Sequence, residues 1–260
     1  MKTTKIFLTS ALILGLSVVG FTQDDDDKDS KRKKRRYGTY NDFKIDLGIN
    51  NFLEDGESPS ESNAPYAVRP WGSWYVALKS QNDTHVGGSL HILWGGDVSW
   101  YNFKFEDESI RLSEGSETIE FIQSTEDVSF QKSKLTAAYV NASIVPMLKF
   151  GSRQRYGRRW FGFRGDRWDL GWDADEGFRI GAGMYAGYRI ASYAKYVVKD
   201  DGDKEKDRDK DGFYLNNFRY GIRGQVGFRG LDIFVNYDLN ELFADNRGPK
   251  LNAFSFGVVL

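Results

Sequence analysis

The chain contains no cysteine among its 260 residues. Disulfide frameworks, thiolate chemistry and a lipoprotein anchor on a terminal leader cysteine are therefore excluded. Histidine is almost as scarce, since His85 and His91 are the only two and no carboxylate cluster stands near them in the sequence. No Ser/His/acid order, phosphate-binding loop or nucleotide turn occurs in a strand–helix context. The sequence thus predicts no catalytic residue, no cofactor and no metal ligand.

Long apolar runs are also missing beyond the N-terminus. After residue 22 no apolar stretch approaches the length of a membrane-spanning helix. The formal net charge is −1, which gives bulk electrostatics no preference for nucleic acid or for an acidic partner.

The N-terminus has the order of a secretory signal. Lys2 and Lys5 precede an apolar stretch at 6–21, and small residues, Gly20 and Thr22, stand where a signal peptidase reads. We predict a removed signal peptide over residues 1–22, with a transmembrane anchor as the alternative. Residues 23–40 carry dense charge blocks and are expected to be a disordered tail.

Alternation of apolar and polar residues dominates the rest of the chain. Phe43, Ile45, Leu47 and Ile49 alternate with polar or small residues, and runs at 218–228, 231–240 and 254–260 do the same. Successive strand side chains point to opposite faces, so each run predicts a strand with one apolar and one polar face. Eight strands are predicted near the following positions: 43–50, 71–80, 86–105, 134–150, 178–199, 213–229, 231–240 and 251–260.

The connections between these strands differ in length. Residues 81–84 and 229–230 read as tight turns, whereas 51–70, 106–133, 200–212 and 241–250 are long and polar. This pattern, with aromatic residues on the apolar face, is typical of an outer-membrane barrel. We therefore predict an all-β, eight-stranded antiparallel transmembrane β-barrel over residues 41–260, in the cell outer membrane and in contact with its lipid. A two-sheet sandwich that hides the apolar face is the alternative.

The C-terminal third resembles the PorT-like outer-membrane β-barrel proteins of the Bacteroidota. The resemblance depends on the order of several motifs: FRIGAG at 178–183, AGYR at 186–189, NFRYG at 217–221, NYDL at 236–239 and FSFG at 254–257. It covers 178–260 well and 43–150 loosely. It implies an outer-membrane barrel with a removed signal and, through the link of PorT itself to protein secretion, an accessory role in the cell envelope. It does not imply one activity or any particular functional residue.

Charged residues occupy the face predicted to line the barrel lumen. These are Asp46, Asp97, Arg189, Arg219, Arg223, Asp232 and Asp238. Eight strands enclose a space that side chains just fill, so we expect a packed, salt-bridged network. A narrow ion path is the alternative interpretation.

Residues 152–177 depart from the family pattern. Arginine and tryptophan alternate there, and six of them are candidate contact residues: Arg158, Arg159, Trp160, Arg164, Trp168 and Trp172. Strand counting places this segment in the periplasm, where barrel turns are usually short. We expect it to dock a periplasmic protein partner or lipid headgroups. Stacking on single-stranded nucleic acid and an ordinary surface loop are the alternatives.

Residues 207–212 match the start of a calcium loop, but Phe218 stands where the twelfth, glutamate ligand belongs. A charged, solvated loop is the alternative. The sequence as a whole predicts a non-enzymatic outer-membrane barrel that acts as a structural or accessory module of an envelope complex. A small-solute channel and an outer-membrane barrel enzyme remain alternative functions.

Overall fold

The computed structural model describes residues 38–60, 64–125, 128–151, 177–200 and 203–260. Within these ranges the protein is all-β, and no helix there is long and apolar enough to cross a membrane. Eleven strands follow one another in the described chain: β1 Thr39–Glu54, β2 Trp74–Gly87, β3 Leu90–Lys104, β4 Ile110–Glu114, β5 Ile119–Gln123, β6 Ser129–Phe150, β7 Phe178–Asp200, β8 Asp203–Asp209, β9 Phe218–Phe228, β10 Leu231–Asp238 and β11 Leu251–Val259.

Eight of these strands form a closed antiparallel ring in the order β1–β2–β3–β6–β7–β9–β10–β11. The first and last strands close it, with Asp46 opposite Val259 and Glu54 opposite Leu251. Closure leaves no unpaired edge around the ring, so the backbone groups of its strands find partners within the sheet. The all-β fold with eight antiparallel strands confirms that part of the sequence-based prediction.

The two ends of the ring differ. The turn end carries the two-residue turns at 88–89 and 229–230, together with the start of β1 and the end of β11. The loop end carries the longer connections after β1, β3, β7 and β10. Both turns use left-handed backbone, since φ is 59° at Gly88, 48° at Arg229 and 83° at Gly230.

The prediction of a tight turn at residues 81–84 is wrong. These residues lie within β2 and pair on both sides, as Asn82 does with Asn41 of β1 and Trp94 of β3. Their polarity reflects their position near the turn end of the strand, and the chain reverses at Gly88–Ser89 instead. The third predicted strand therefore begins at Leu90. Similarly β1 begins at Thr39, so residues 39 and 40 belong to the sheet and not to the charged tail.

Three strands lie where the sequence predicts only loops. β4 and β5 form a hairpin at the loop end, and Ile110, Leu112 and Ile119 of this hairpin are buried. β8 pairs with the loop-end part of β7, from Ala194 to Asp200. The β7–β8 hairpin therefore extends beyond the part of β7 that pairs with β9. β8 has no apolar residue, which is why hydrophobic alternation does not reveal it.

An apolar core fills the loop-end half of the ring interior. Its largest fully buried side chains include Phe52, Phe103, Phe105, Phe213 and Phe243. The β4–β5 hairpin packs onto this cluster through Leu112 and Ile119. The prediction that the inward face of each strand is largely polar therefore does not hold near the loop end, where inward positions such as Phe52 and Phe103 carry aromatic residues.

Candidate functional site

Charged side chains fill the middle of the ring, below the aromatic core. They come from inward positions of alternating strands, and Asp46, Lys79, Arg219, Arg223 and Asp238 are all buried. Most of their strand neighbours point outward and are apolar, such as Leu47, Leu78 and Ile222, so the local period of two separates charge from the exterior. We call these buried groups, together with half-buried Asp97, the inner network.

Asp46 of β1 is the centre of one part of the inner network. Nη1 of Arg223 donates a hydrogen bond to its Oδ2 at 2.8 Å, and Nζ of Lys79 lies 3.4 Å from the same oxygen. Nη1 of Arg223 also donates to Oδ1 of Asn236 at 3.1 Å, and its guanidinium lies 4.6 Å from the ring centroid of Phe234. One carboxylate thus faces two cations, and amide and aromatic groups complete the coordination of Arg223.

Asp238 of β10 is the centre of a second part. Nη2 of Arg219 donates to its Oδ1 at 2.6 Å, and the hydroxyl of Tyr185 donates to the same oxygen. The Arg219 guanidinium also lies 4.2 Å from the ring centroid of Tyr101 and 5.0 Å from that of Tyr139. The arginine is therefore enclosed by aromatic faces and neutralised by one carboxylate.

Two further carboxylates lie apart from these two centres: Asp232 is nearer the turn end, and Asp97 is on the opposite wall of the ring. Asp232 accepts a hydrogen bond from Nη2 of Arg179 at 2.6 Å and another from Nε2 of Gln225 at 2.9 Å. Asp97 accepts a hydrogen bond from Nδ2 of Asn141 at 2.6 Å and stands opposite Lys79 in the β2–β3 register.

Arg189 does not join these groups. Its guanidinium donates to Oγ of Ser192 and to Oδ1 of Asn217 and the carbonyl of Leu215, all at the loop end. A bulge in the β6–β7 pairing next to Tyr139 shifts the register there. The arginine consequently holds the connection before β9 and contacts no carboxylate of the inner network in the described chain.

Sequence reasoning missed a group inside the turn end. Asp83 accepts hydrogen bonds from Nδ1 of His91 at 2.7 Å and from Nζ of Lys149 at 2.5 Å. The His85 ring stacks on His91 with centroids 4.7 Å apart. The signal in the sequence is that Asp83, His85 and His91 occupy inward positions of alternating strands. The wrong prediction of a turn at 81–84 hid this alternation. Among the described residues no group of three or more histidines and carboxylates is placed to hold a metal ion.

The interior of the ring leaves little free space. A polar cavity between the two parts of the inner network is lined by Tyr75, Lys79, Asn141, Tyr185 and Arg223, among others. It offers about 10 Å³ to the centres of water molecules, which is close to the room that one water needs. Around this cavity the side chains are packed, and Lys79, Arg219 and Arg223 each form an ion pair with a carboxylate.

Outside the ring interior, Tyr66 in the connection after β1 donates a hydrogen bond to Oε2 of Glu54 at 2.7 Å. Burial, the hydrogen bond and the Glu54 charge raise the pKa of Tyr66 to about 12. This contact ties the connection to the end of β1.

The six arginine and tryptophan residues predicted to contact a partner or lipid lie outside the described residues, as do the predicted signal peptide and residues 23–37. The calcium-loop candidate falls partly on strand β8, so Asp207 and Asp209 lie on a sheet and do not wrap around a loop. Burial and the neighbouring carboxylates of Asp207 and Asp211 raise the pKa of Asp209.

No protein-family model matches the chain, and comparison with curated proteins and with solved structures gives no significant match. The resemblance to the PorT-like proteins therefore stays a prediction from the motifs in the C-terminal third.

Proposed function

We propose that the strand ring is an outer-membrane β-barrel and that the protein is a non-enzymatic structural or accessory module of an envelope complex. One observation carries the membrane assignment. Every ring strand exposes at least one large apolar side chain by more than a third of its surface: Leu47, Trp74, Trp94, Ile144, Met184, Ile222, Ile233 and Phe256.

This exposed apolar belt is inverted relative to a soluble barrel. Exposed Ile144 and Met184 are outside while Asp46 and Arg223 are buried inside. A continuous apolar belt needs a cover, since soluble monomers rarely leave large apolar patches open to water. Hydrocarbon is the cover that fits a closed ring, because only closed barrels and helices satisfy their backbone groups in a bilayer.

Aromatic residues at both limits of the belt support the same assignment. Trp74 and Tyr188 are exposed toward the loop end, and Phe43 and Phe228 are exposed toward the turn end. Aromatic side chains favour the two membrane–water interfaces of such barrels. We assign the turn end to the periplasm and the loop end to the cell exterior, as short periplasmic turns in such barrels suggest.

An interior of paired charges supports an accessory role over a solute channel. Arg223 of β9 reaches Asp46 of β1 across the interior. Arg219 pairs with Asp238 on the neighbouring strand β10 and also reaches Tyr101 of β3, so charged side chains occupy the space where a solute path would have to run. The proposed partners are outer-membrane lipid and a periplasmic or outer-membrane protein, reached through residues 152–177, which connect β6 to β7 in the sequence. Protein secretion or outer-membrane biogenesis is the proposed setting, from the family resemblance alone.

The membrane assignment is tested by refolding the full chain into phosphatidylcholine vesicles and measuring heat-modifiable gel mobility. Because the chain has no cysteine, single substitutions also report orientation cleanly. Asp245→Cys at the loop end should react with an impermeant maleimide in intact cells, and Ser89→Cys at the turn end should not. Labelling of Ser89→Cys alone would show the opposite orientation. Absence of vesicle insertion would refute the assignment of the strand ring to a membrane barrel.

The accessory role has its own test. Replacing residues 155–172 with a Gly-Ser bridge should leave insertion intact but abolish co-purification of envelope proteins. The matched control is a Gly-Ser replacement of residues 245–247 at the loop end, which should keep the partner. A partner-free wild type that conducts ions in planar bilayers would instead favour a channel.

A further inference from the structure

Four cations stand side by side across neighbouring strands at the loop end. Lys104 of β3 is opposite Lys134 of β6, Lys134 is opposite Lys195 of β7, and Lys195 is opposite Arg208 of β8. We call this set the cation row. Directly opposed side chains in a sheet lie close enough for like charges to destabilise the pairing. A row of four cations is therefore stabilised by a ligand that brings negative charge.

The cation row lies on the outside of the sheet. On β7 the neighbours of Lys195, Ala194 and Tyr196, are buried in the interior, so Lys195 points the other way. The Tyr193 ring shares this outer face, because its centroid lies 5.8 Å from Nζ of Lys134 and 4.8 Å from the Arg208 guanidinium.

The protein itself supplies little negative charge to this face. Nζ of Lys104 is 2.8 Å from Glu108, whereas Nζ of Lys134 donates only to the neutral Oδ1 of Asn102. Within the described ranges no carboxylate forms an ion pair with Lys134, Lys195 or Arg208.

The sequence of β8 separates its charges by face. Lys204, Lys206 and Arg208 alternate with Glu205, Asp207 and Asp209. Period-two geometry places the three bases on the outer face with Lys195 and the three acids on the inner face. The alternation thus concentrates positive charge outside although β8 as a whole is nearly neutral.

The cation row lies just beyond the apolar belt on the same strands. Trp100 is one outward row from Asn102 and two from Lys104, and Val140, Tyr188 and Ile190 are exposed on the neighbouring strands. Cations at this depth meet the headgroup region of a bilayer that covers the belt.

We propose that the cation row binds the phosphate groups of lipid A in the outer leaflet, an inference that rests on the proposed membrane barrel. Lysine ammonium groups supply point charges, and the guanidinium of Arg208 supplies paired donors for phosphate oxygens. The acyl chains of the same lipid then cover the apolar belt below, beside Val140 and Ile190. One amphipathic ligand thus contacts both the cation row and the apolar belt next to it.

The test uses the full chain purified in a nonionic detergent, with bisphosphorylated lipid A as the probe and dephosphorylated lipid A for comparison. Native mass spectrometry of the wild type should show tighter binding of the bisphosphorylated lipid. The variant Lys195→Gln/Arg208→Gln should lose about tenfold in apparent affinity, from the loss of two cations at the surface. The matched control Arg229→Gln/Lys250→Gln removes the same charge from exposed positions away from this face and should bind as the wild type does.

The outcomes separate this inference from the membrane proposal, because insertion into phosphatidylcholine vesicles is measured first on the same preparations. A chain that inserts but binds the two lipids equally overturns the cation row as a phosphate site. Unchanged affinity in the double variant overturns it as well. Displacement of lipid A by inorganic phosphate at an equal concentration would show a free-anion site instead. Loss of a co-purifying protein with lipid A binding retained would show a protein-docking face, which also contradicts the proposal.

Discussion

Nη2 of Arg219 lies 2.6 Å from Oδ1 of Asp238, and both side chains are buried inside the strand ring. The two residues lie on the paired strands β9 and β10, where Asp238 stands opposite Gly221. The ion pair is therefore diagonal, two residues away from direct opposition. Tyr101 and Tyr139 flank the guanidinium, so water has little access to replace the carboxylate.

Asp238→Ala should destabilise the protein by about 3–5 kcal/mol, because it leaves a buried guanidinium without its counter-charge. The measurement is the temperature at which the heat-modifiable gel shift is lost, together with urea unfolding in detergent. Asp245→Ala, at an exposed carboxylate of the loop end, is the control and should leave both unchanged. Equal stability of the two variants would show that this ion pair is not formed.

The two cations beside Asp46, Arg223 and Lys79, should contribute differently to the free energy of unfolding. Arg223 donates to the carboxylate at 2.8 Å, whereas Lys79 is 3.4 Å away. We expect Arg223→Met to cost several kcal/mol, on the order of 3 or more, and Lys79→Met to cost less than half as much. A double-mutant cycle with Asp46→Asn measures the coupling energies by chemical unfolding. A larger coupling for Lys79 than for Arg223 would contradict the geometry.

Gly227 and Gly224, both on β9, allow the same substitution to be compared at a crowded and at an open position. A Cβ at Gly227 would collide with Oδ1 of Asp232 and lie 2.6 Å from Nε of Arg179, so the ion pair passes directly over this glycine. A Cβ at Gly224 meets nothing within 4 Å. Gly227→Ala should lower stability by about 1–3 kcal/mol, whereas Gly224→Ala should be neutral or stabilise by about 0.4–1 kcal/mol. Urea unfolding of the two variants distinguishes them, and a neutral Gly227→Ala would show that the Arg179–Asp232 pair can move aside.

Tyr66 should make stability depend on pH in the alkaline range. Its pKa is raised to about 12 in the folded protein, above the ordinary value of 10.0. The folded state therefore holds the phenol proton more tightly, and this contribution is complete below pH 10 and lost as the pH rises toward 12. The melting temperature of the wild type should fall more steeply than that of Tyr66→Phe between pH 10 and 12. Tyr220→Phe, at an exposed ring, should follow the wild type, and parallel curves for all three would contradict the Tyr66–Glu54 contact.

Much of the ring was predictable because alternation is a local property. Ile222 and Arg223 are neighbours in the sequence and end on opposite sides of the sheet, as the period of two requires. The hairpin at Arg229–Gly230 was predictable as well, and it sets Arg223 opposite Asn236. The turn between β2 and β3 was misplaced because Gln81, Asn82 and Asp83 have the composition of a turn, although they pair in the sheet.

Other features depend on contacts that no local pattern records. Asp46 and Arg223 are 177 residues apart, and they meet because β1 closes the ring against β11. The cation row likewise needs the register of four strands, since Lys104, Lys134, Lys195 and Arg208 are unremarkable as separate lysines and arginines. The β4–β5 hairpin becomes stable by covering the aromatic core through Leu112 and Ile119.

The sequence by itself determined the all-β class, the number of ring strands and the face to which most side chains point. These follow from side-chain period and turn chemistry, which act over a few residues. Only the tertiary structure decided which charges pair, that Arg189 stands apart at the loop end, and that the outer half of the interior is aromatic. Those outcomes depend on strand register and ring closure, where residues far apart in the chain are brought within a few ångströms and one shift in pairing changes every partner.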